Sequence, residues 1–174
     1  MLDTTLIFVR PATEQDEPMI RAMARGERLN PTGLDWPNFL VAENGRRLVG
    51  MVQMRKHPDG SRELGSLAVC ERMRGRGIAS RLIGALLAAE RGPVHMITGA
   101  SHARHYERWG FRPIEPGAAP AAVRFNYRVG RLMMVVSLLK RRPPRRLVIL
   151  ERGAPGGDHP QPSRCPKRLA LVAR

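Results

Sequence analysis

Residues 66–83 (Ser-Leu-Ala-Val-Cys-Glu-Arg-Met-Arg-Gly-Arg-Gly-Ile-Ala-Ser-Arg-Leu-Ile) pass from a short apolar run through a basic, glycine-containing loop into a helical pattern. Such a loop gathers backbone N–H groups at the positive end of a helix, and Gly75 and Gly77 let a ligand approach the main chain closely. A phosphate or pyrophosphate suits that chemistry. Arg72, Arg74 and Arg76 supply full positive charges, and Ser80 offers a hydroxyl one turn into the helix. Two familiar phosphate loops fit badly. The dinucleotide fingerprint needs a third glycine where Ser80 stands, at the start of a parallel βαβ unit. The nucleoside triphosphate loop needs Gly-Lys-Ser/Thr, which this chain lacks. Taken alone, the segment also fits an ordinary helix start after a basic turn.

The flanking sequence supplies the elements that must hold this loop. Thr5 to Arg10 is β-branched and aromatic, ends at Pro11, and reads as a strand. Thr13 with Glu14 and Asp16 marks a helix start, and Ile20, Met23 and Ala24 give that helix an apolar stripe stopping near Gly26. Asn38–Glu43 and Leu48–Met54 read as strands joined at Asn44-Gly45, and His57-Pro58-Asp59-Gly60 turns into a third strand, Arg62–Cys70. From Ile78 the period changes: Ile78, Leu82, Ile83, Leu86 and Leu87 recur at helical spacing until Gly92-Pro93. Val94–Thr98 is a short strand, Ser101 is placed to cap a helix through Trp109, and Gly110-Phe111 leads into another strand. The order is that of a mixed α/β (α+β) domain. Pro116–Ala122 reads as a connection and Val129–Leu139 as a helix with Leu132, Val135, Val136 and Leu139 on one face. Arg146–Glu151 reads as a strand inserted into the sheet. The expected organisation is one domain over 1–151, with a core at 5–115 and a C-terminal helix and strand within 124–151. Residues 152–174, basic and rich in Pro and Gly, are expected to be disordered.

Composition bounds the function. The 174 residues are 43% hydrophobic, enough for one domain with a real core. Cys70 and Cys165 form no CxxC pair, which argues against a disulfide framework or thiolate zinc site and points to the cytoplasm. No apolar run is long enough for a bilayer, and Met1-Leu2-Asp3 is acidic where a signal peptide is basic, so neither a membrane span nor export is expected. Of the net charge of +15, little belongs to the first part of the chain: residues 1–120 carry 17 basic and 13 acidic side chains, residues 121–174 carry 13 and 2. The run Arg141-Arg142-Pro-Pro-Arg145-Arg146 could bind nucleic acid or anionic lipid, although no aromatic residues interleave with it and a solvated loop explains it equally. His102 and His105 stand three apart without an acidic or thiol partner, so no metal is expected.

Two motifs together carry a resemblance. Leu67-Ala-Val69 followed by Arg74-x-x-Gly77-x-Ala79 resembles the acyl-CoA-binding segment of the GNAT superfamily of N-acetyltransferases. His105-Tyr106-Glu-Arg-Trp-Gly110-Phe111 is similar to that superfamily's Tyr-x-x-x-Gly-Phe signature. The likeness spans Ile7 to Ile114 and includes the opening Arg10-Pro-Ala-Thr13; it departs from the family's habit at His105, where an apolar residue is common. It implies a mostly antiparallel central sheet splayed at a CoA cleft, with helices on both faces. It further implies acetyl transfer from acetyl-CoA to a primary amine of a small molecule or protein, by direct attack in a ternary complex without a metal.

Carried onto this chain, the family's pyrophosphate-binding amides map to Arg74, Gly75, Arg76, Gly77, Ile78, Ala79 and Ser80. Leu67, Ala68 and Val69 would pair with the pantetheine arm, with the Val69 N–H at the thioester oxygen. Tyr106 is the expected general acid toward the CoA thiolate. Glu63 is the candidate base, sharing a face with Leu67 and Val69 unless a bulge intervenes, and Glu43 is a weaker choice. Gly65 is a permissive site for such a bulge, and Trp36 lies where an acceptor pocket or plain packing would use it. Cys70 has no identified base and is not taken as a nucleophile. A monomer or homodimer is expected. The rival reading is a noncatalytic CoA-binding or nucleic-acid-associated module acting through the arginine-rich C-terminal region.

Overall fold

A computed structural model describes residues 7–27, 29–30, 33–138 and 146–154, without the side chains of 134–138. Among the described residues seven strands make one sheet in the order β1-β2-β3-β4-β5-β7-β6. These are β1 (Ile7–Pro11), β2 (Phe39–Asn44), β3 (Arg47–Lys56), β4 (Arg62–Val69), β5 (Val94–Gly99), β6 (Arg112–Ile114) and β7 (Leu147–Arg152). Every pairing is antiparallel except β4 with β5. The inserted strand expected at Arg146–Glu151 is β7, seated between β5 and β6.

Alternation along the strands sends apolar side chains to both faces, and helices cover each. α1 (Glu17–Gly26) buries Ile20, Met23 and Ala24 against Phe39, Val41, Met51 and Ala68. α4 (Ala121–Leu138) lies on the same side, where Val123 meets Ile97 and Ile149. On the opposite face α2 (Ile78–Ala88) buries Ile78, Leu82, Ile83, Leu86 and Leu87, the five residues its periodicity marks, against Val52, Met54, Leu64 and Met96. Gly50 lets α2 approach: a Cβ there would stand 3.1 Å from both Ile78 Cγ2 and Leu82 Cδ1 and 3.3 Å from the Ala68 carbonyl. Gly50→Val should therefore destabilise the domain by about 1–3 kcal/mol through overpacking, read as a lowered denaturation midpoint.

Before α1, the Thr13 N–H and hydroxyl both donate to Asp16 Oδ2, at 2.8 and 2.9 Å, while Arg10 holds Asp16 at 2.7 Å and Glu43 at 2.8 Å. Hydrogen bonding from Arg10 lowers the Asp16 carboxyl to about 2. A depressed carboxylate contributes stability that is present above its ordinary value near 3.8 and is lost as pH falls toward 2. The stability difference between wild type and Asp16→Asn should thus be constant near neutrality and vanish over that acid window, as followed by urea unfolding.

Two expectations need correction. The segment 101–109 is not one capped helix: α3 is only Ala103–Tyr106, between 3-10 turns at Ala100–His102 and Glu107–Trp109. In the tighter 3-10 turn positions i and i+3 eclipse. Tyr106 and Trp109 consequently lie with ring centroids 6.0 Å apart against the same core. Secondly, α4 begins at Ala121, inside the expected connection, because Asp59 from a distant loop accepts the Ala122 N–H at 3.0 Å. On α4, Leu132 is 64% exposed. Val135, Val136, Leu139, the arginines 141–145 and the expected tail beyond 154 lie outside what is described.

Candidate active site

The parallel pair β4–β5 is short. It holds only Arg62–Leu64 against Val94–Met96, and beyond Leu64 the two strands part. The cause lies in β4. Met51 faces Ala68 while Gln53 faces Gly65, so β4 spends an extra residue and bulges at Ser66, whose φ is 49°. The irregularity sits one place beyond Gly65. A polar network holds that uncommon conformation: the Ser66 hydroxyl donates to Gln53 Oε1 at 3.1 Å and accepts from Arg55 Nη2 at 3.2 Å.

Past the bulge, the Cys70 N–H donates to the Val49 carbonyl on β3 at 2.9 Å. Backbone groups alternate in direction, so the N–H and C=O of Val69, and with them those of Leu67, point to the edge that β5 has left. A ligand with amide groups can add to such an edge as a strand does. Arg74 Nε already donates to the Val69 carbonyl at 3.1 Å, and Arg74 Nη2 pairs with Glu27. That side chain braces the loop, and it is the backbone there that can meet a ligand.

Gly75 and Gly77 have φ of 76° and 75°, a left-handed geometry that costs other residues energy, and Gly77 caps α2. The turn leaves the amides at the start of α2 pointing outward, as an anion site requires. Arg108 joins them from the end of the α3 segment: its Nη2 donates to Ser80 Oγ at 3.0 Å while its guanidinium stacks 3.9 Å from the Trp109 ring centre. The sequence does not single out Arg108. Its only signal was its place two residues after Tyr106.

Tyr106 belongs to the cluster on the α2 face that includes Leu67 and Val69. Its hydroxyl interacts with Thr98, on the part of β5 beyond the splay, while burial pushes its pKa above the ordinary 10. The phenol therefore keeps its proton through neutral and mildly alkaline pH.

Glu63 stands apart. The bulge shifts the alternation, so Glu63 shares its face with Gln53, Arg55 and Ala68 and not with Leu67 and Val69. It is 3% exposed, with Oε1 accepting from Arg55 Nη1 at 3.2 Å and Oε2 lying 3.0 Å from His57 Nε2 and 2.9 Å from Asn126 Nδ2. In front of it lies a polar cavity of about 250 Å³, walled by the loop bearing Gly33, Asp35 and Asn38, by Gln53, Arg55 and His57 of the β3 region, and by Asn126 of α4. His57 and Asn126 went unnoticed as site residues because their partner is brought to them by β4 and by the capping of α4. Trp36 packs beside the α1 cluster, and Glu43 is engaged by Arg10.

Residues 35–113 match the acetyltransferase (GNAT) domain family. Over that segment the chain is similar to GNAT acetyltransferase domains. Solved structures agree on the fold. N-acetylglutamate synthase from Neisseria gonorrhoeae, complexed with coenzyme A and N-acetyl-glutamate, is 19% identical with a TM-score of 0.69 over 86% of this chain. This chain spans 35% of that protein's length. Rv2747 from Mycobacterium tuberculosis, in complex with CoA and NLQ, is 20% identical with a TM-score of 0.62, covering 84% of this chain and 98% of its own. Arabidopsis thaliana Naa50, in complex with the bisubstrate analogue CoA-Ac-MVNAL, is 12% identical with a TM-score of 0.55, covering 84% and 98%. No curated protein matches the chain by sequence. Among the described residues there is no three-residue His/Cys/Asp/Glu grouping able to hold a metal and no helix long and apolar enough to cross a membrane.

Proposed function

We propose that the GNAT domain transfers an acetyl group from acetyl-CoA to the primary amine of a small molecule, by direct attack within a ternary complex. The observation that carries this is the opening where β4 and β5 part at Leu64 and Met96, with the Gly75–Ser80 loop at one side and the polar cavity on the other face. Backbone amides from Arg74 to Ser80, with Arg108 alongside, bind the pyrophosphate. Leu67, Ala68 and Val69 offer their free edge to the pantetheine arm, and the Val69 N–H stabilises the oxyanion.

Tyr106 gives its proton to the departing thiolate, and the Glu63 carboxylate supplies the negative charge that draws a proton from the amine side. A small acceptor fits a cavity of about 250 Å³ better than a protein segment. The CoA-bound relatives support the cosubstrate. The test is thiol release from acetyl-CoA that requires an added amine, with the acetylated amine identified by mass spectrometry. Thiol release independent of any amine would instead indicate thioester hydrolysis.

A further inference from the structure

Glu63 cannot itself receive a proton from a bound amine. It is 3% exposed, both oxygens are engaged by Arg55, His57 and Asn126, and it stands behind the residues that wall the cavity. His57 is one of those wall residues, its side chain 13% exposed. Its Nε2 lies 3.0 Å from Glu63 Oε2, and because a carboxylate oxygen can only accept, the proton of the neutral ring sits on Nε2. The other nitrogen, Nδ1, is then an acceptor, and it has no hydrogen-bond partner among the described residues. Gln53 links the cavity to the bulge through Ser66, so an amine in the cavity lies next to the place where β4 and β5 part.

We propose that His57, through Nδ1, is the base that deprotonates the attacking amine, and that Glu63 is the positioning residue that orients it. The inference rests on the acetyl-transfer reading above. His57 takes one proton from the ammonium, leaving a lone pair to form the C–N bond as the thioester carbonyl electrons move to oxygen. The oxyanion collapses with cleavage of the C–S bond, and Tyr106 protonates the thiolate. The second proton on nitrogen passes through water to the Tyr106 phenolate, and His57 releases its proton to solvent. Charged and titratable groups facing this centre are Glu63 on β4, Arg55 and Lys56 on β3, Asp59 in the following turn, Asp35 in the cavity wall, and His95, paired with Glu63 in register from β5.

The experiment is a pH profile of acetyl transfer to methylamine, a probe small enough for the cavity, with wild type, His57→Ala, His57→Gln and Glu63→Gln. His57→Ala is expected to lose about 10²-fold in kcat/KM for methylamine. It should also lose the acid limb of the profile, keep its affinity for acetyl-CoA and recover activity with added imidazole. His57→Gln retains a donor to Glu63 and should be equally inactive though folded. Glu63→Gln should lower kcat with the KM for methylamine little changed, since the ring loses the carboxylate that orients it. Imidazole nitrogen NMR on the wild type supplies a readout independent of turnover, with Nε2 protonated and Nδ1 bare. Transfer by His57→Ala at the wild-type rate with its acid limb intact, or an Nδ1-protonated ring, would overturn the assignment while leaving acetyl transfer standing. A wild type that binds acetyl-CoA and acetylates no methylamine overturns the acetyl-transfer reading and the base together.

Discussion

Tyr106→Phe is expected to reduce kcat by about 10²-fold while leaving the affinity for acetyl-CoA near that of the wild type. The substitution removes one hydroxyl and keeps the ring that packs against Trp109 and Phe111, at centroid distances of 6.0 and 6.3 Å. Folding should be little affected, so the loss falls on chemistry. A thiol with an ordinary pKa near 8.5 is a moderate leaving group, which keeps the effect at the low end for acid catalysis. The direction of the Tyr106 shift sharpens the expectation. Burial raises its pKa above 10, so ionisation of the phenol should not depress the rate until the pH exceeds that value. Steady-state kinetics with the amine saturating check both points. A fall in acetyl-CoA affinity with unchanged kcat would make Tyr106 a packing residue.

The larger effect is expected at the loop. Gly77→Glu should abolish acetyl-CoA binding, because a carboxylate would stand at the helix start where the pyrophosphate must sit. Part of the damage would be conformational, since φ at Gly77 is 75° and a residue with a Cβ pays roughly 1–2 kcal/mol there. Gly77→Ala separates the two: it carries the strain without the charge. A Cβ at this position meets nothing within 4 Å, so no steric clash with the protein complicates the comparison. Thermal unfolding is the readout. A ligand at about 100-fold its Kd stabilises the native state by roughly 2.7 kcal/mol, so acetyl-CoA should raise the midpoint of the wild type and of Gly77→Ala but not of Gly77→Glu.

Much of the framework of this candidate site is legible in the chain because its signals are local. Glycines at 75 and 77 are needed by a left-handed turn, and the apolar spacing from Ile78 to Leu87 sets α2 behind it. Tyr106 was marked by the Gly110-Phe111 turn that follows it. What stayed hidden depends on partners far apart in sequence. The bulge lies at Ser66, a residue whose type does not advertise φ of 49°, and it is held by Gln53 and Arg55 from another strand. That one irregularity moved Glu63 to the opposite face from Leu67, since alternation can be read from sequence only while the ladder is regular. His57 and Asn126 reached Glu63 through a turn and a helix whose start depends on Asp59. Helical periodicity marks which residues of α4 share a face but not what covers it, and Leu132 is 64% exposed.

The most direct test of the central claim is calorimetric titration of the wild-type protein with acetyl-CoA. One site of micromolar affinity, its heat absent with Gly77→Glu, is the result expected if the parted strands and the glycine loop form a CoA cleft. A folded wild type that takes up no acetyl-CoA would contradict the account.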